Sequence, residues 1–485
     1  MAKSKRIGVV WFRQDLRLSD NPALRFAAAE CDELILLFIA DPADGSVGSV
    51  GSASSVWLHH SLAKLTYDLS QKGLTLRFAK GASGDILNHV VDCTGASTVY
   101  WNRCYDPQSI RRDKSIKSEL SARVSVQSFN ALLLFEPFET LKSDGTPYRV
   151  FTPFWKMLST TRFPVDKPVR LPRTLPGDAQ LSKARINQLN TLATTELQDL
   201  KLLPVKPWAD SMMSHWHVGE KAAMKTLRSF IKSSLAQYNS QRDVPGVEGT
   251  SMLSPHLHFG EISPRQVIAL VLGSNQLEQL SVDELTFVKE VVWREFAYSL
   301  LYHFPETVDK PLDKRFEQFA WAPNTDDHFK AWCLGQTGVP IVDAGMRQLY
   351  ATGWMHNRVR MIVGSYLIKN LLIPWQRGER WFRDTLVDAD MASNVMGWQW
   401  CSGSGADAAP FFRIFNPVLQ GEKFDQQGDY VKRWVPELEG VTAKFIHKPW
   451  ELSDSERSAL DYPPPLVDLK VSRQRALDAF SAIKS

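Results

Sequence analysis

The chain has 485 residues, with 57 Lys and Arg against 53 Asp and Glu and a formal net charge of +4. With 44% hydrophobic and 23% charged residues it has the balance of a globular protein, long enough for about two to four domains. No apolar run reaches the roughly 18 residues of a membrane span, and the basic start meets Arg13 and Asp15 too soon for a signal peptide.

Short β-rich apolar runs fall at 7–12, 34–39, 74–78, 98–101 and 124–129. Helical patterns lie between them. One opens at Ser19-Asp20-Asn21-Pro22, with capping residues and an early proline, and another runs from Trp57 to Leu69. Strand–helix alternation predicts a parallel sheet covered by helices on both faces. The first strand is not followed by G-x-G-x-x-G, so the dinucleotide fingerprint is absent, and so is a P-loop. Residues 131–206 are punctuated by Pro147, Pro153, Pro164, Pro168, Pro172, Pro176 and Pro204; they are expected to form a long connection over the surface. Beyond it, Ala223, Leu227, Phe230, Ile231, Leu235 and Tyr238 recur at helical spacing, and 283–303, 341–352 and 355–373 follow suit.

The five cysteines, Cys31, Cys93, Cys104, Cys333 and Cys401, are scattered and form no C-x-x-C. A disulfide framework, a zinc site and an iron–sulfur cluster are not expected, and a reducing cytoplasm is. No metal and no membrane partner are called for. Sixteen tryptophans point to stacking surfaces or another use of the indole, because a buried indole N–H needs a partner.

Four stretches are candidates for chemistry. In Phe287–Ala297 a helix puts Glu290, Trp293, Arg294 and Ala297 on one face. An ordinary surface Glu–Arg pair is the bland alternative, but Val291, Val292 and Phe296 crowd the other faces. That predicts a buried helix, and burial raises the pKa of an unpaired carboxyl. In Gly353–Met361, Asn357 and Met361 stand one turn apart, and Arg358 and Arg360 diverge. Such a set suits a phosphate or a heteroaromatic ring, or merely starts a basic helix. In Asp388–Trp400, Asp388 is a partner for an arginine such as Arg360, and Trp398 and Trp400 must point apart, one inward and one toward a cleft. Gly249–His256 reads as a helix N-terminus fit for phosphate, or as a simple cap. Tyr238, Arg242 and Arg413 are further phosphate contacts of low specificity. His256 and His258 are expected to be structural, and His215 and His217 lack a third ligand.

Together, VVWFRQDLRLSDNPAL, WREF, GWMHNRVRMI and DAAPFFRIFNPVLQGEKFD resemble the DNA photolyase/cryptochrome family over nearly the whole chain. The resemblance implies an N-terminal α/β domain with a Rossmann-like parallel sheet (1–130), a linker (131–206) and an all-helical FAD-binding and DNA-binding domain (207–485). It implies a flavin phosphate site at Tyr238, Thr250, Ser251, Leu253 and Ser254, with Met252 departing from the Arg that relatives often carry. Phe287, Glu290, Arg294, Asn357, Arg360, Asp388, Asp390 and Asn394 would surround FAD, with Asn394 facing flavin N5, as suits a fully reduced working flavin. Trp321, Trp375 and Trp398 would pass electrons from the surface. Trp293 and Trp400 would sandwich a flipped lesion, Glu290 would hydrogen-bond it, and Arg242, Arg358 and Arg413 would hold the flanking phosphates.

Photolyases for the (6-4) product carry proton-donating histidines where Asn357 and Met361 stand, so the resemblance favours splitting of cyclobutane pyrimidine dimers, of the class I or class III kind. That reaction moves an electron out and back with no net proton transfer. Damaged DNA is the implied partner and a monomer the implied state. An antenna is expected to be a folate, from the wording WNRCYDPQSIRRD, with 8-hydroxy-deazaflavin or none as alternatives. A light-sensing cryptochrome is the rival reading; Asn394, Glu290, the Trp293/Trp400 pair and the lack of a long tail beyond Trp450 speak against it.

Overall fold

The structure is a computed structural model that describes residues 5–42, 52–178, 181–407 and 412–484. Its first element, β1 (Ile7–Phe12), is buried along its whole length, as a strand covered on both faces must be. β2 (Glu33–Ala40), β3 (Leu76–Lys80), β4 (Thr98–Asn102) and β5 (Ser125–Phe129) complete a five-stranded sheet in the order β3-β2-β1-β4-β5. Every pairing is parallel, with Val10 of β1 opposite Leu36 of β2 and Tyr100 of β4. The order reverses between β1 and β4, which makes the carboxyl ends of those strands the topological switch point. The crossover helices start where the sequence marks them. Asn21 caps Pro22–Glu30 by accepting from Leu24 N, and Ser52 caps Ala53–Ser70.

The segment after the sheet is less superficial than its prolines imply. A helix at Phe151–Thr161 buries Phe154 and Leu158 in one core with Phe230 and Phe296 of the helical half. A second, Lys183–Leu192, sends Leu189 into the core behind the sheet beside Val91 and Ile116. Thr194 then bonds the backbone of Phe78 in both directions. Pro153 sits in the first turn of the 151–161 helix, where a missing N–H costs no helical bond, and Phe151, Phe154 and Leu158 keep a helical apolar stripe.

The helical half is built around Val282–His303, Pro340–Thr352, Asn357–Ser365, Trp375–Thr385 and Met391–Ser402. The helix expected across 355–373 departs from expectation after Ser365: Tyr366–Asn370 is a π turn that carries Lys369 into the interior. Tryptophans divide between uses. Trp11, Trp57, Trp101, Trp332 and Trp375 are core; Trp57 and Trp332 spend their N–H groups on Glu261 and on the Val363 carbonyl.

One carboxylate joins the two halves. Asp20, fully buried, accepts from Ser263 Oγ at 2.5 Å, from Arg265 Nε at 3.1 Å and from Val169 N at 2.7 Å. Asp20→Ala would leave Arg265 buried without its carboxylate, a change that costs about 3–5 kcal/mol. Denaturant unfolding of this variant is therefore expected to show a much lower midpoint; an unchanged midpoint would mean that other ties, such as Trp57 to Glu261, hold the two halves without Asp20.

Candidate flavin and DNA site

The Val282–His303 helix begins with a capping box between Ser281 and Glu284. Phe287, Val288, Val291, Val292 and Phe296 bury its sides, as the pattern requires. Its polar side chains must therefore find partners in other segments. Glu290 meets Arg242 at 2.5 Å, while Arg294 turns away and donates to the carbonyls of Leu132 (2.8 Å) and Leu257 (3.5 Å). The surface Glu290–Arg294 pair is thus not formed, and the shared face splits between two neighbours. Trp293 stacks on Phe151 with ring centroids 3.7 Å apart and planes at 8°. Burial pushes the Glu290 carboxyl above the usual glutamate range, and Arg242 pulls it back.

The Asn357–Ser365 helix is capped by His356, whose Nδ1 accepts from Arg358 N at 3.2 Å. Only a neutral ring can accept there, and burial holds His356 at about 4. Asn357 is exposed, and its amide nitrogen lies 3.9 Å from Met361 Sδ. Arg358 reaches Asp243 at 2.7 Å. Arg360 points elsewhere, to Asp388 at 2.8 Å. The two arginines diverge, as expected, and Asp388 is the arginine partner anticipated for it.

Asp390 caps Met391–Ser402 through Ser393 N and also takes the Tyr298 hydroxyl. Asn394 donates to Glu379 Oε1 at 3.1 Å, and Arg383 holds the same oxygen at 2.7 Å. Along this regular helix the two indoles diverge: Trp398 is buried against Phe382 (4.9 Å) and Trp332 (6.2 Å), while Trp400 is half-buried near Phe415. Buried Trp375 and half-exposed Trp321 line one surface recess. Exposed Arg413 has its carbonyl held by Lys369 Nζ at 2.5 Å.

The phosphate segment differs from expectation. Ser254–His258 is a helix of only five residues, its N-cap is Leu253, and no side chain caps it. Met252 sits at φ +53°, so Thr250–Leu253 is irregular backbone rather than a helix start. Thr250 and Ser251 are half-buried, Leu253 is buried, and Ser254 Oγ accepts from Trp354 Nε1 at 3.3 Å. Buried Tyr238 packs against buried Phe287 at 5.3 Å.

Three residues the sequence did not single out belong to the same ground, together with His258, expected from the sequence to be structural. Glu379 positions Asn394, Tyr298 positions Asp390, and Asp243 holds Arg358. His258 is fully buried with both ring nitrogens unpartnered, and Asp390, Asp388 and Arg294 act on it electrostatically. Its neighbour His256 is structural, bonded to Glu261. The i, i+4 spacing of Glu379 and Arg383 was a visible signal; the others are united only by the fold. Unpaired ring nitrogens on buried His258, among Asp388, Asp390 and Arg294, fit a large polar heteroaromatic group such as FAD. Among the described residues no cluster suits a metal ion.

Residues 8–173 match the DNA photolyase family and residues 287–482 the FAD binding domain of DNA photolyase. The deoxyribodipyrimidine photo-lyase of Agrobacterium fabrum is 48% identical over 484 residues, 98% of each chain. Cryptochrome-1 of Arabidopsis thaliana is 37% identical, over 98% of this chain and 70% of its own. The crystal structure of a bacterial class III photolyase from Agrobacterium tumefaciens superposes with a TM-score of 0.92 at 46% identity, covering 100% of this chain and 99% of its own. The chain belongs to the DNA photolyase/cryptochrome family, with its parallel-sheet domain and helical FAD-binding domain.

Trp398 owes its position to a glycine. A Cβ at Gly378 would stand 2.2 Å from Trp398 Cη2 and 2.7 Å from Leu367 Cδ2. Gly378→Ala is expected to displace the indole, to cost on the order of 1–3 kcal/mol as overpacking does, and to slow photoreduction of the flavin. Bleaching of the flavin band under blue light checks this; an unaltered rate would remove Trp398 from the electron path.

Proposed function

We propose that this protein repairs cyclobutane pyrimidine dimers in DNA, driven by blue light and by electron transfer from reduced FAD to a flipped-out dimer. When bound in its reduced form, FAD supplies the light absorption and the electron that opens the cyclobutane ring and is then returned. The observation that carries the reading is the convergence of two helices on residues 242–243. Arg242 binds Glu290 of one helix and Asp243 binds Arg358 of the other. The wall bearing Glu290 and Trp293 is thereby tied to the wall bearing Asn357 and Met361, against which Trp400 also packs.

The residues divide the work by their chemistry. Arg294, the Arg360–Asp388 pair, Asp390 and Asn394 bind and orient the cofactor, with Phe287, Tyr238 and Thr250–Ser254 along its phosphate-bearing part. Asn394 offers its amide from a position fixed by Glu379 and Arg383. Trp293 and Trp400 stack on the extruded bases and exclude water, Asn357 offers hydrogen bonds, and Met361 gives a polarizable wall. Asn and Met supply no proton at neutral pH, which suits a reaction without net proton transfer. Trp321, Trp375 and Trp398 relay electrons inward. Arg242, Arg358 and Arg413 hold phosphates, so binding weakens with salt.

A folate antenna in or beside the sheet domain completes the proposal. At the switch point, Arg13 and Arg112 lie 4.4 and 5.0 Å from the ring of Trp11, whose buried N–H is unpartnered. In WNRCYDP, by contrast, Asn102 donates to Asp15 and Asn21, and Tyr105 donates to Glu136. The support there rests on the wording of the stretch and not on free polar groups.

The deciding measurement uses purified protein, reduced without oxygen and lit with blue light on an oligonucleotide holding one thymine dimer. Recovery of base absorbance in light and none in the dark is expected; no recovery with reduced FAD bound would favour the light-sensing reading. Glu290→Gln is expected to keep the flavin and lower repair several-fold. Asn357→His combined with Met361→His is expected to depress dimer repair, and an unaffected rate would remove both from the lesion pocket. Trp375→Phe is expected to block photoreduction while sparing repair by chemically reduced protein; loss of both would make Trp375 structural.

A further inference from the structure

Two consecutive residues bolt the walls of the pocket together. Arg242 Nη1 lies 2.5 Å from Glu290 Oε1, and Asp243 Oδ2 lies 2.7 Å from Arg358 Nη2. All four side chains are partly open, between 18% and 31% exposed, so an arriving strand can reach them. Two cations and two anions make the cluster neutral. The arginine that is to hold a phosphate is thus already bound by the carboxylate that is to read the dimer. A phosphate gripped by the guanidinium fork uses donors that Glu290 now occupies.

We propose that Arg242 and Asp243 form a latch that the phosphates beside a lesion open by exchange, and that Glu290, released from Arg242, takes one proton from solvent and becomes a hydrogen-bond donor to the dimer. The inference rests on the repair reading. The exchange balances. The Arg242–carboxylate pair breaks, an Arg242–phosphate pair forms, one proton adds to Glu290, and no electron moves. Without the proton, a carboxylate under a stacked base would stand uncompensated beside Asp243.

The charged and titratable neighbours leave one competitor for that proton. Burial raises the Glu290 carboxyl, Arg242 lowers it, and Asp243 raises it further; removing Arg242 leaves the raising influences. Tyr238, beside Glu290, is kept protonated by burial and by that carboxylate. His356, beside Asp243 and the Arg242 backbone, is held neutral by burial and occupied as an acceptor. Lys289, the adjacent residue, lies over the Trp155 ring at 5.6 Å. The remaining proton acceptor is Asp243 itself, once Arg358 leaves it.

The carboxyl then has a higher pKa in the complex than in the free protein, so the complex holds more protons. Affinity for lesion DNA falls as pH rises through the window between the two values, by up to about tenfold per pH unit, and is level on either side. The test is calorimetric titration of FAD-loaded protein with a dimer-bearing duplex, in the dark, in two buffers of different ionisation heat. Uptake approaching about one proton per complex is expected within the window. It is expected to vanish in Glu290→Gln, to shrink in Arg242→Gln, where no Arg242–carboxylate pair exists to be exchanged, and to persist in Asp243→Asn. Flavin content of each variant confirms its fold. Binding without proton uptake across the pH range, or uptake that survives Glu290→Gln, overturns the latch. The repair assay on the same preparation separates the two readings. Repair without proton uptake removes the latch and leaves the photolyase standing; proton uptake without repair removes the dimer as the acceptor for Glu290.

Discussion

The Val282–His303 helix is packed on nearly every side of its middle stretch yet carries Glu290, Arg294 and Glu295 there, and the surrounding architecture answers that constraint. Buried charge is tolerated only when paired or hydrogen-bonded. Glu295 takes the backbone N–H groups of Leu134 and Phe135, and burial still pushes its carboxyl up to about 7. Arg294 takes the carbonyls of Leu132 and Leu257. Glu290 takes Arg242. The start of the connecting segment, the short 254–258 helix and the Arg242 turn are each fixed in place by satisfying one charge on this helix. The site is assembled as a by-product of that satisfaction, which is why residues far apart in sequence arrive with defined geometry.

The opposite wall is built on the same logic at one remove. Asn394 is held by Glu379, Glu379 by Arg383, Asp390 by its own helix N-terminus and by Tyr298. Supporting groups of this kind set the orientation of a polar side chain before any ligand arrives, and preorganised dipoles act without a reorganisation cost. The π turn at Tyr366–Asn370 serves a different end. It aims Lys369 at the Arg413 carbonyl while Ser365 holds Phe415 N, so the helix that carries Asn357 and Met361 also fixes the segment around Arg413.

Much of this was legible in the sequence for identifiable reasons. The sheet strands were readable because continuous apolar runs such as IGVVWF have no solvent face to encode. The burial of Val282–His303 was readable from Val291, Val292 and Phe296, and the divergence of Trp398 and Trp400 from helical spacing alone. Two kinds of feature were not. The helix at 151–161 was hidden because the surrounding prolines dominate the local pattern, and that at 183–192 because it buries only Leu189 and so shows little apolar periodicity. Asp243 and Tyr298 were hidden because their meaning lies in partners that are 115 and 92 residues away, a distance over which spacing carries no information. The phosphate segment misled for a third reason: Thr250 and Ser251 are capping residue types, but a left-handed Met252 takes their backbone out of helical geometry.

Neutrality of the Arg242–Glu290–Asp243–Arg358 cluster bears on discrimination. Any duplex offers phosphates, so exchange at Arg242 and Arg358 is available to undamaged DNA and supplies affinity without selection. What undamaged DNA does not offer cheaply is an extruded base pair, since a sound pair must be unstacked and unpaired first. After exchange on sound DNA, Glu290 faces water and has nothing to donate to, and Trp293 and Trp400 have no base between them. A dimer presents carbonyl acceptors at that same place and at a smaller flipping cost. On the proposed reading, selection falls on the carboxyl and the two indoles, while the arginines set salt dependence. In the proposed latch the phosphate contact has a second consequence: it frees the group that would read the lesion, so that backbone binding and lesion reading become successive uses of one ion pair.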